Sequence, residues 1–438
     1  ASFKLFLQQY PGDELARSAQ FNLGRAYEGA GQPQAAATAY LGAIVPDDPV
    51  NVYIYERIGD LRLQTGTYTE TVAADRAGID STTDPSFQVH LREGIAQAEL
   101  LLNNNPDGAI TQYQEILDIA KIGAYRAKIL RLLGETYLAA GQTETGHDQY
   151  LEAVNTYPEA YDSYLALVEL VNAEVPVDAF QRGLVDYHAR AYQPAIAAFE
   201  QYLAQADAPA STDSSATSDA AATPAISETT TLTATTGITT TPTPLPFAAE
   251  ATWYLARSRQ ALGQYNAAIL TFQDLIDRYP ESANWGQAHL EIGKTLIDQG
   301  SHARAKSRLR AFATARPNHP LAAEALWRAA RLDMLNEMFD EAHTHLHRLV
   351  QTYPTSEYAA DALYWAGQSA YKLEDYQGAI NDWQQLAQDY PTSDLLSFGG
   401  YWQARAWRAL GQEQEAEAVL VQLADRPADY YVLRARDW

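Results

Sequence analysis

The chain of 438 residues contains no cysteine. That absence excludes disulfides and thiol chemistry, and a zinc ion would have only histidine and carboxylate ligands. It also fits an extracytoplasmic setting. No apolar run is long enough to span a bilayer, so no transmembrane segment is expected. Basic residues are scarce: 31 Lys and Arg stand against 55 Asp and Glu, a net charge of −24. Residues 1–246 carry 13 basic and 31 acidic side chains, a net of −18, and residues 247–438 carry 18 and 24, a net of −6. Such a surface repels nucleic acid and anionic lipid, because phosphate binding starts from a basic field. No nucleic-acid partner is expected. Neither G-x-S-x-G nor G-x-x-x-x-G-K occurs, so a serine nucleophile elbow and a phosphate loop are absent. The sequence starts at Ala1 without methionine or a visible signal peptide, which reads as a mature or trimmed product.

What is present is a 37-residue period. Proline recurs at Pro280, Pro317, Pro354 and Pro391. A small residue recurs at Ala256, Gly293, Ala330, Gly367 and Ala404, and a second at Ala268, Ala305, Ala342, Ala379 and Ala416. Apolar markers fall at Phe272, Leu309, Leu346, Trp383 and Leu420. Larger ones fall at Trp253, Leu290, Trp327, Tyr364 and Tyr401. A period in this range predicts an all-α solenoid of helical pairs, each burying its apolar face only against its neighbours. In one repeat, helix one is expected from about Ser282, as N-cap, to Gln299. Gly300 supplies a left-handed turn, and helix two follows from Ser301 to Ala315. Pro317 disfavours helix beyond.

The N-terminal half repeats less evenly. Its second-helix anchors are Ala36, Thr71, Ala109 and Gly146, and the register between Tyr157 and Tyr192 is not evident. Residues 207–246 are dominated by Thr, Ser, Ala and Pro and lack aromatic and basic residues. Such a segment cannot bury enough apolar surface to offset its ordering entropy, so a disordered insert is expected there. The expected organisation is a helical array over 1–206, the insert over 207–246, and a second array over 247–438 leading into a linker.

The spacing Gly24-x11-Ala36, and again Gly293-x11-Ala305-x11-Pro317 and Gly367-x11-Ala379-x11-Pro391, resembles the tetratricopeptide repeat (TPR). The period exceeds that repeat's usual ~34 residues. The longer period, and the Tyr-Pro turns at Tyr10-Pro11, Tyr157-Pro158, Tyr279-Pro280, Tyr353-Pro354 and Tyr390-Pro391, are similar to bacterial envelope variants of the repeat. A narrower likeness lies in Tyr401-Trp402-Gln403-Ala404-Arg405-Ala406 and Tyr430-Tyr431-Val432-Leu433-Arg434-Ala435-Arg436, with Gln181 to Tyr187 as a further segment. These resemble the helical superhelix and linker of soluble lytic transglycosylases. The resemblance implies a non-catalytic scaffold that binds or positions peptidoglycan glycan strands and a downstream lysozyme-like domain, in the periplasm or cell envelope. No catalytic residue carries over. The alternative is an extracytoplasmic TPR adaptor that binds a protein or peptide partner.

Four sets of residues bear on function. Arg304, Lys306, Arg308 and Arg310 make one helix basic. They read either as an interaction patch or as a solvated helix paired with Glu337, Asp340 and Glu341. Trp402, Tyr430, Tyr431, Arg434 and Arg436 are the expected contacts to a further domain. His343 and His347 share a helix face while His345 points elsewhere, and two histidines without a third ligand make an incomplete metal site. Carboxylate pairs such as Asp47-Asp48 and Glu374-Asp375 fall in turns, and no pair stands in the apolar setting a glycosidase acid requires. No cofactor or metal is expected.

Overall fold

The computed structural model describes residues 2–103, 105–207, 245–426 and 430–436, and every regular element among them is a helix. The first are α1 (Ser2–Gln9), α2 (Ala16–Gly29), α3 (Pro33–Leu41), α4 (Asn51–Gln64), α5 (Tyr68–Asp80) and α6 (Pro85–Asn103). Next come α7 (Pro106–Ile119), α8 (Gly123–Ala139), α9 (Thr143–Thr156), α10 (Tyr161–Asn172), α11 (Ala179–His188) and α12 (Tyr192–Asp207). Beyond the insert, which lies mostly outside the described residues, stand α13 (Ala248–Ala261), α14 (Tyr265–Arg278), α15 (Trp285–Asp298), α16 (His302–Ala315), α17 (Ala322–Leu335) and α18 (Phe339–Thr352). The last are α19 (Ala359–Lys372), α20 (Tyr376–Asp389), α21 (Leu396–Ala409), α22 (Glu413–Ala424) and α23 (Tyr430–Arg436). Two compact units divide at Tyr202 and Leu203. Consecutive helices pack pairwise in both, so the core is a chain of small clusters.

Local chemistry sets the helix ends. First helices stop at a left-handed residue: Gly31, Gly66, Gly141, Gly263, Gly300 and Gly411 all have positive φ. Glu337 and Glu374 take the same conformation, at φ 58 and 62, one and two periods after Gly300. Second helices stop before proline. Tyr279, Arg316, Tyr353 and Tyr390 share φ near −130 and ψ near 60, outside the helical region, because a proline ring excludes helix at the residue before it. The helix expected from Ser282 begins instead at Trp285. The Tyr-Pro turn consumes the intervening residues: Ser282 N–H donates to Tyr279 O at 3.0 Å, and Trp285 N–H donates to Ser282 O at 2.9 Å. The unclear N-terminal register resolves as α10 standing alone between the hairpins α8/α9 and α11/α12.

One contact recurs in eight of the helical pairs among the described residues. The small residue of the first helix receives a large side chain located 16 positions later on the second. A Cβ added at Gly24, Gly134, Gly183, Gly293 or Gly367 would come within 2.4–2.7 Å of Tyr40, Tyr150, Phe199, Leu309 or Trp383 respectively. Ala256 with Phe272, Ala330 with Leu346, and Ala404 with Leu420 share their clusters in the same relation. The largest of these side chains, Trp383, is 2 % exposed, and its indole N–H donates to Tyr364 O at 3.1 Å.

Trp383→Ala should therefore cost about 3–5 kcal/mol, the range for truncating a buried aromatic. Leu270→Ala, at a side chain 71 % exposed on α14, should stay within about 0.5 kcal/mol. Urea unfolding of the full chain, followed by hydrogen exchange in α13 to α22, measures both. Equal effects would show that the recurring contact does not hold the repeat together.

Candidate interaction groove and polar clusters

The first helices of the second unit are α13, α15, α17, α19 and α21. Their sequence places a basic residue at one register of the 37-residue period: Arg257, Lys294, Arg331 and Arg405, with Gln368 the one interruption. Lys294 and Arg331 are exposed. A groove of about 730 Å³ opens along α15, α17 and α19, lined by Glu291, Lys294, Ile297, Arg328, Arg331, Leu332, Met334, Leu335 and Trp365. Leu335 and Trp365 present apolar surface there, 69 % and 40 % exposed. Three of the basic residues are steadied by indole faces: Arg257 over Trp253, Arg331 over Trp327 and Arg405 over Trp402. Such stacking restrains a long side chain while leaving its N–H groups free to donate. At one end, Glu291 accepts from Arg257 at 2.7 Å and from Gln260 at 2.9 Å, and Gln260 also reaches Thr295 at 2.9 Å. Lys294 makes no ion pair among the described residues, so its charge is available to a ligand.

The basic helix α16 behaves differently. Lys306 is buried and its Nζ lies 2.6 Å from Asp333 Oδ1. Arg310 pairs with the other Asp333 oxygen, where His345 Nδ1 also arrives at 3.0 Å. Arg308 donates to Gln273 Oε1 at 2.6 Å. Arg304 is exposed. The partner of Lys306 and Arg310 is thus Asp333 on α17, not Glu337, Asp340 or Glu341. Asp333 is fully buried, and the two cations compensate the cost of burying its carboxylate. Burial, then Arg310, holds His345 below its ordinary value.

A third polar group beside His343 and His347 comes from the next second helix. His343 Nε2 lies 3.0 Å from Asp382 Oδ2, His347 Nε2 lies 2.8 Å from Asp382 Oδ1, and the two nitrogens are 3.2 Å apart. His345 points away, to Asp333.

A carboxyl in the setting not found in the sequence also exists. Gly59 and Asp75 stand 16 apart, so Asp75 occupies the place filled elsewhere by Tyr40, Tyr150 or Trp383. It is 3 % exposed, and a Cβ at Gly59 would strike its Oδ1. It borders a cavity of about 390 Å³ shared with Asp60, His90, Glu93, Tyr125 and Lys128. His90 lies 3.4 Å from Asp60 and 3.6 Å from Glu56, while Tyr125 donates to Glu93 at 2.9 Å. Burial, then Asp60, pushes the Asp75 carboxyl up to about 8, so it is neutral in its pocket at neutral pH. Of the carboxylate pairs in turns, Asp48 pairs with Arg17 and Asp375 caps α20 by accepting from Gly378 N–H at 2.9 Å.

At the C-terminal end, Trp402 packs edge-on against Tyr371 at 5.3 Å and under Arg405 at 4.6 Å. Tyr431 packs on Phe398 and Tyr401 at 4.6 and 5.2 Å. Tyr430 is 66 % exposed, and Arg434 is exposed beside Leu433. The Arg436 side chain lies outside the described residues.

Residues 249–364 match the profile of the YfiO outer membrane lipoprotein family. Residues 361–393, and 6–52 with 21–86, match tetratricopeptide repeat profiles. No curated protein matches the chain. Among solved structures it is similar to MamA from Desulfovibrio magneticus, at 16 % identity over 43 % of this chain and 97 % of that one, with a TM-score of 0.31. It is also similar to the P58(IPK) TPR domain, at 15 % identity over 88 % and 96 %, TM-score 0.26. A tetratricopeptide repeat protein from Parabacteroides merdae gives 11 % identity over 72 % and 98 %, TM-score 0.30. Both halves carry tetratricopeptide-type helical repeats, and no helix among the described residues is long and apolar enough to cross a membrane.

The buried ionisable groups give the two units opposite pH responses. Between about pH 4 and pH 8, folded Asp75 keeps a proton that the unfolded chain has released. Its stabilising contribution is complete at the acid end and is lost as pH rises, by up to about 1.4 kcal/mol per pH unit. Asp60, Glu56 and His90 act on it electrostatically, the carboxylates raising and His90 lowering its pKa. In the second unit, His289 is 8 % exposed, stacked on Phe312 at 4.7 Å, with neither ring nitrogen hydrogen-bonded. Burial, then Arg308, pushes it down to about 4. Its contribution is present above about pH 6.5 and is lost as pH falls toward 4. Hydrogen exchange should show α5 loosening with rising pH in the wild type and less so in Asp75→Asn. It should show α15 loosening with falling pH, and less so in His289→Leu. Unchanged slopes in the variants would remove these two groups as the cause.

Proposed function

We propose that this chain is a protein-binding adaptor whose first-helix groove in residues 247–438 holds an acidic segment of a partner protein. The observation that supports this most is the basic register Arg257, Lys294, Arg331 and Arg405, which puts cations on four first helices of an otherwise acidic chain. Helical-repeat grooves receive extended or helical peptides along the stack. Here Leu335 and Trp365 offer apolar anchors between the cations, and the groove volume suits a few side chains. Guanidinium groups held on indoles are suited to carboxylates. The match of residues 249–364 to an outer membrane lipoprotein family supports a place in the cell envelope.

Fluorescence anisotropy with labelled peptides tests the reading. Acidic peptides carrying one leucine or tryptophan should bind, and basic or neutral peptides of the same length should not. Lys294→Glu with Arg331→Glu should weaken binding at least about tenfold, an amount typical of reversing charges at an interface. Binding that ignores peptide charge, or survives the double reversal in a folded protein, would sink it.

A second reading follows from the Tyr401–Arg436 texture. The chain would be the scaffold region of a peptidoglycan lytic transglycosylase, with glycan strands and a lysozyme-like domain as partners. The exposed Tyr430, Leu433 and Arg434 on α23 favour it, since they form a small surface suited to a neighbouring domain. It requires residues 1–438 to release no anhydro-muropeptides from peptidoglycan, and the native protein's mass to include a further domain. Muralytic activity of residues 1–438, or a native mass without that domain, would rule it out.

A further inference from the structure

We propose that His343, His347 and Asp382 bind one divalent first-row transition cation, with zinc as the natural probe, and that the ion clamps α18 to α20. One ligand atom from each residue lies within 4.8 Å of the other two, with the two nitrogens 3.2 Å apart and each at 2.8–3.0 Å from a different Asp382 oxygen, and no other group of three such ligands is found among the described residues.

The protons do not satisfy this arrangement. A neutral imidazole Nε2 either donates or accepts. If both rings donate to Asp382, two N–H groups face each other across 3.2 Å. If one ring accepts from the other, its lone pair faces a carboxylate oxygen. No pair of neutral tautomers satisfies all three contacts, whereas a cation between them satisfies all three at once. Ligands at bonds of about 2.1 Å lie about 3.0 Å apart in cis positions and about 3.4 Å apart at tetrahedral angles. The nitrogens, 3.2 Å apart, and the nitrogen–oxygen distances of 3.0 Å to Asp382 Oδ2 and 2.8 Å to Oδ1 are of that size. Two imidazoles and one carboxylate are donors suited to zinc, nickel or iron(II). The imidazoles are partly exposed, at 29 % each, so an ion has a route in and solvent can complete its shell.

The repeat supplies an independent reason. One period earlier, His343 and His347 are Lys306 and Arg310, two permanent cations that neutralise buried Asp333. At the α18/α20 junction both cations have become imidazoles and the Asp333 register holds Ala370, while a different carboxylate, Asp382, 3 % exposed, stands at the register of His345. A buried carboxylate requires a compensating charge. A bound metal ion supplies that charge to Asp382, which has no Lys or Arg partner among the described residues. Asp340 and Asp375 act electrostatically on His343 and add to the field that attracts a cation.

Isothermal titration of zinc chloride into the untagged, chelator-treated full chain tests the proposal, with nickel chloride as the comparison. One equivalent should bind in the micromolar range or tighter. His343→Gln with His347→Gln should weaken binding at least about tenfold, as should Asp382→Asn. Zinc should also slow hydrogen exchange in α18 and α20 and leave α13 and α14 unchanged. The partly exposed histidines permit a folded variant even where Asp382→Asn destabilises. No zinc uptake by the wild type, or equal uptake by the folded histidine double variant, overturns the site and leaves an imidazolium–carboxylate cluster.

Discussion

Everything in this molecule depends on one close crossing per helical pair. A glycine or alanine on the first helix lets the second approach, and the side chain 16 residues later fills the space. The tolerance is narrow, because a methyl group at Gly134 would meet the Tyr150 ring at 2.4 Å. Close-packed interiors do not absorb such an overlap without displacement. Since each pair touches only its neighbours, a fault at one crossing stays local, and stability accumulates as a sum along the array. That locality permits a chain with different chemistry at the same register in different repeats.

The N-terminal unit uses that freedom at Asp75, where a carboxyl replaces the large side chain and two glycines, Gly59 and Gly94, make room for it. Consistency across levels fails here, and such failures mark functional or strained positions. The second helices use the same freedom at their junctions. Gln273 meets Arg308, Arg310 meets His345, and His347 meets Asp382, each pair one period beyond the last. The geometry of the junction is constant while the groups that occupy it change. An arginine-bridged contact becomes a cluster of three lone-pair donors without any change of backbone.

Most of the fold was legible in the sequence because the constraint is local and periodic. Small residues, prolines and glycines at fixed spacing report backbone conformation directly. The helix start at Trp285 was not legible, because Ser282 reads as an N-cap while the Tyr-Pro turn takes those residues first. The register around α10 was hidden because α10 packs on the α8/α9 hairpin without a second helix of its own to complete a repeat. The site was less legible, although parts of it follow from the same period. Extending it from Arg257 finds the basic register, and counting 16 from Gly59 finds a polar residue where an apolar one belongs. Asp382 is one period beyond His345, yet its role as third ligand depends on which helix faces α18, and no local pattern encodes that. Likewise, the turn of Lys306 and Arg310 toward Asp333 is a property of packing between helices. In the sequence, the same residues look like a free basic face.

The remaining question is how a chain of net charge −24 could attract an acidic segment. Range decides it. At physiological ionic strength charges are screened beyond about 8 Å, so a ligand in the groove feels mainly the residues lining it. Those include Lys294, Arg328 and Arg331, with Glu291 already paired to Arg257 and Glu324 to Arg328. The excess of negative charge is also uneven, with −18 of it in residues 1–246 and −6 in residues 247–438. A weak repulsive field at long range combined with a cationic groove at short range disfavours indiscriminate polyanion binding, because nucleic acid meets the whole surface and not one groove. On the proposed reading, the acidity of the chain and the cations lining this groove would act together to favour a small local anion over a large extended one.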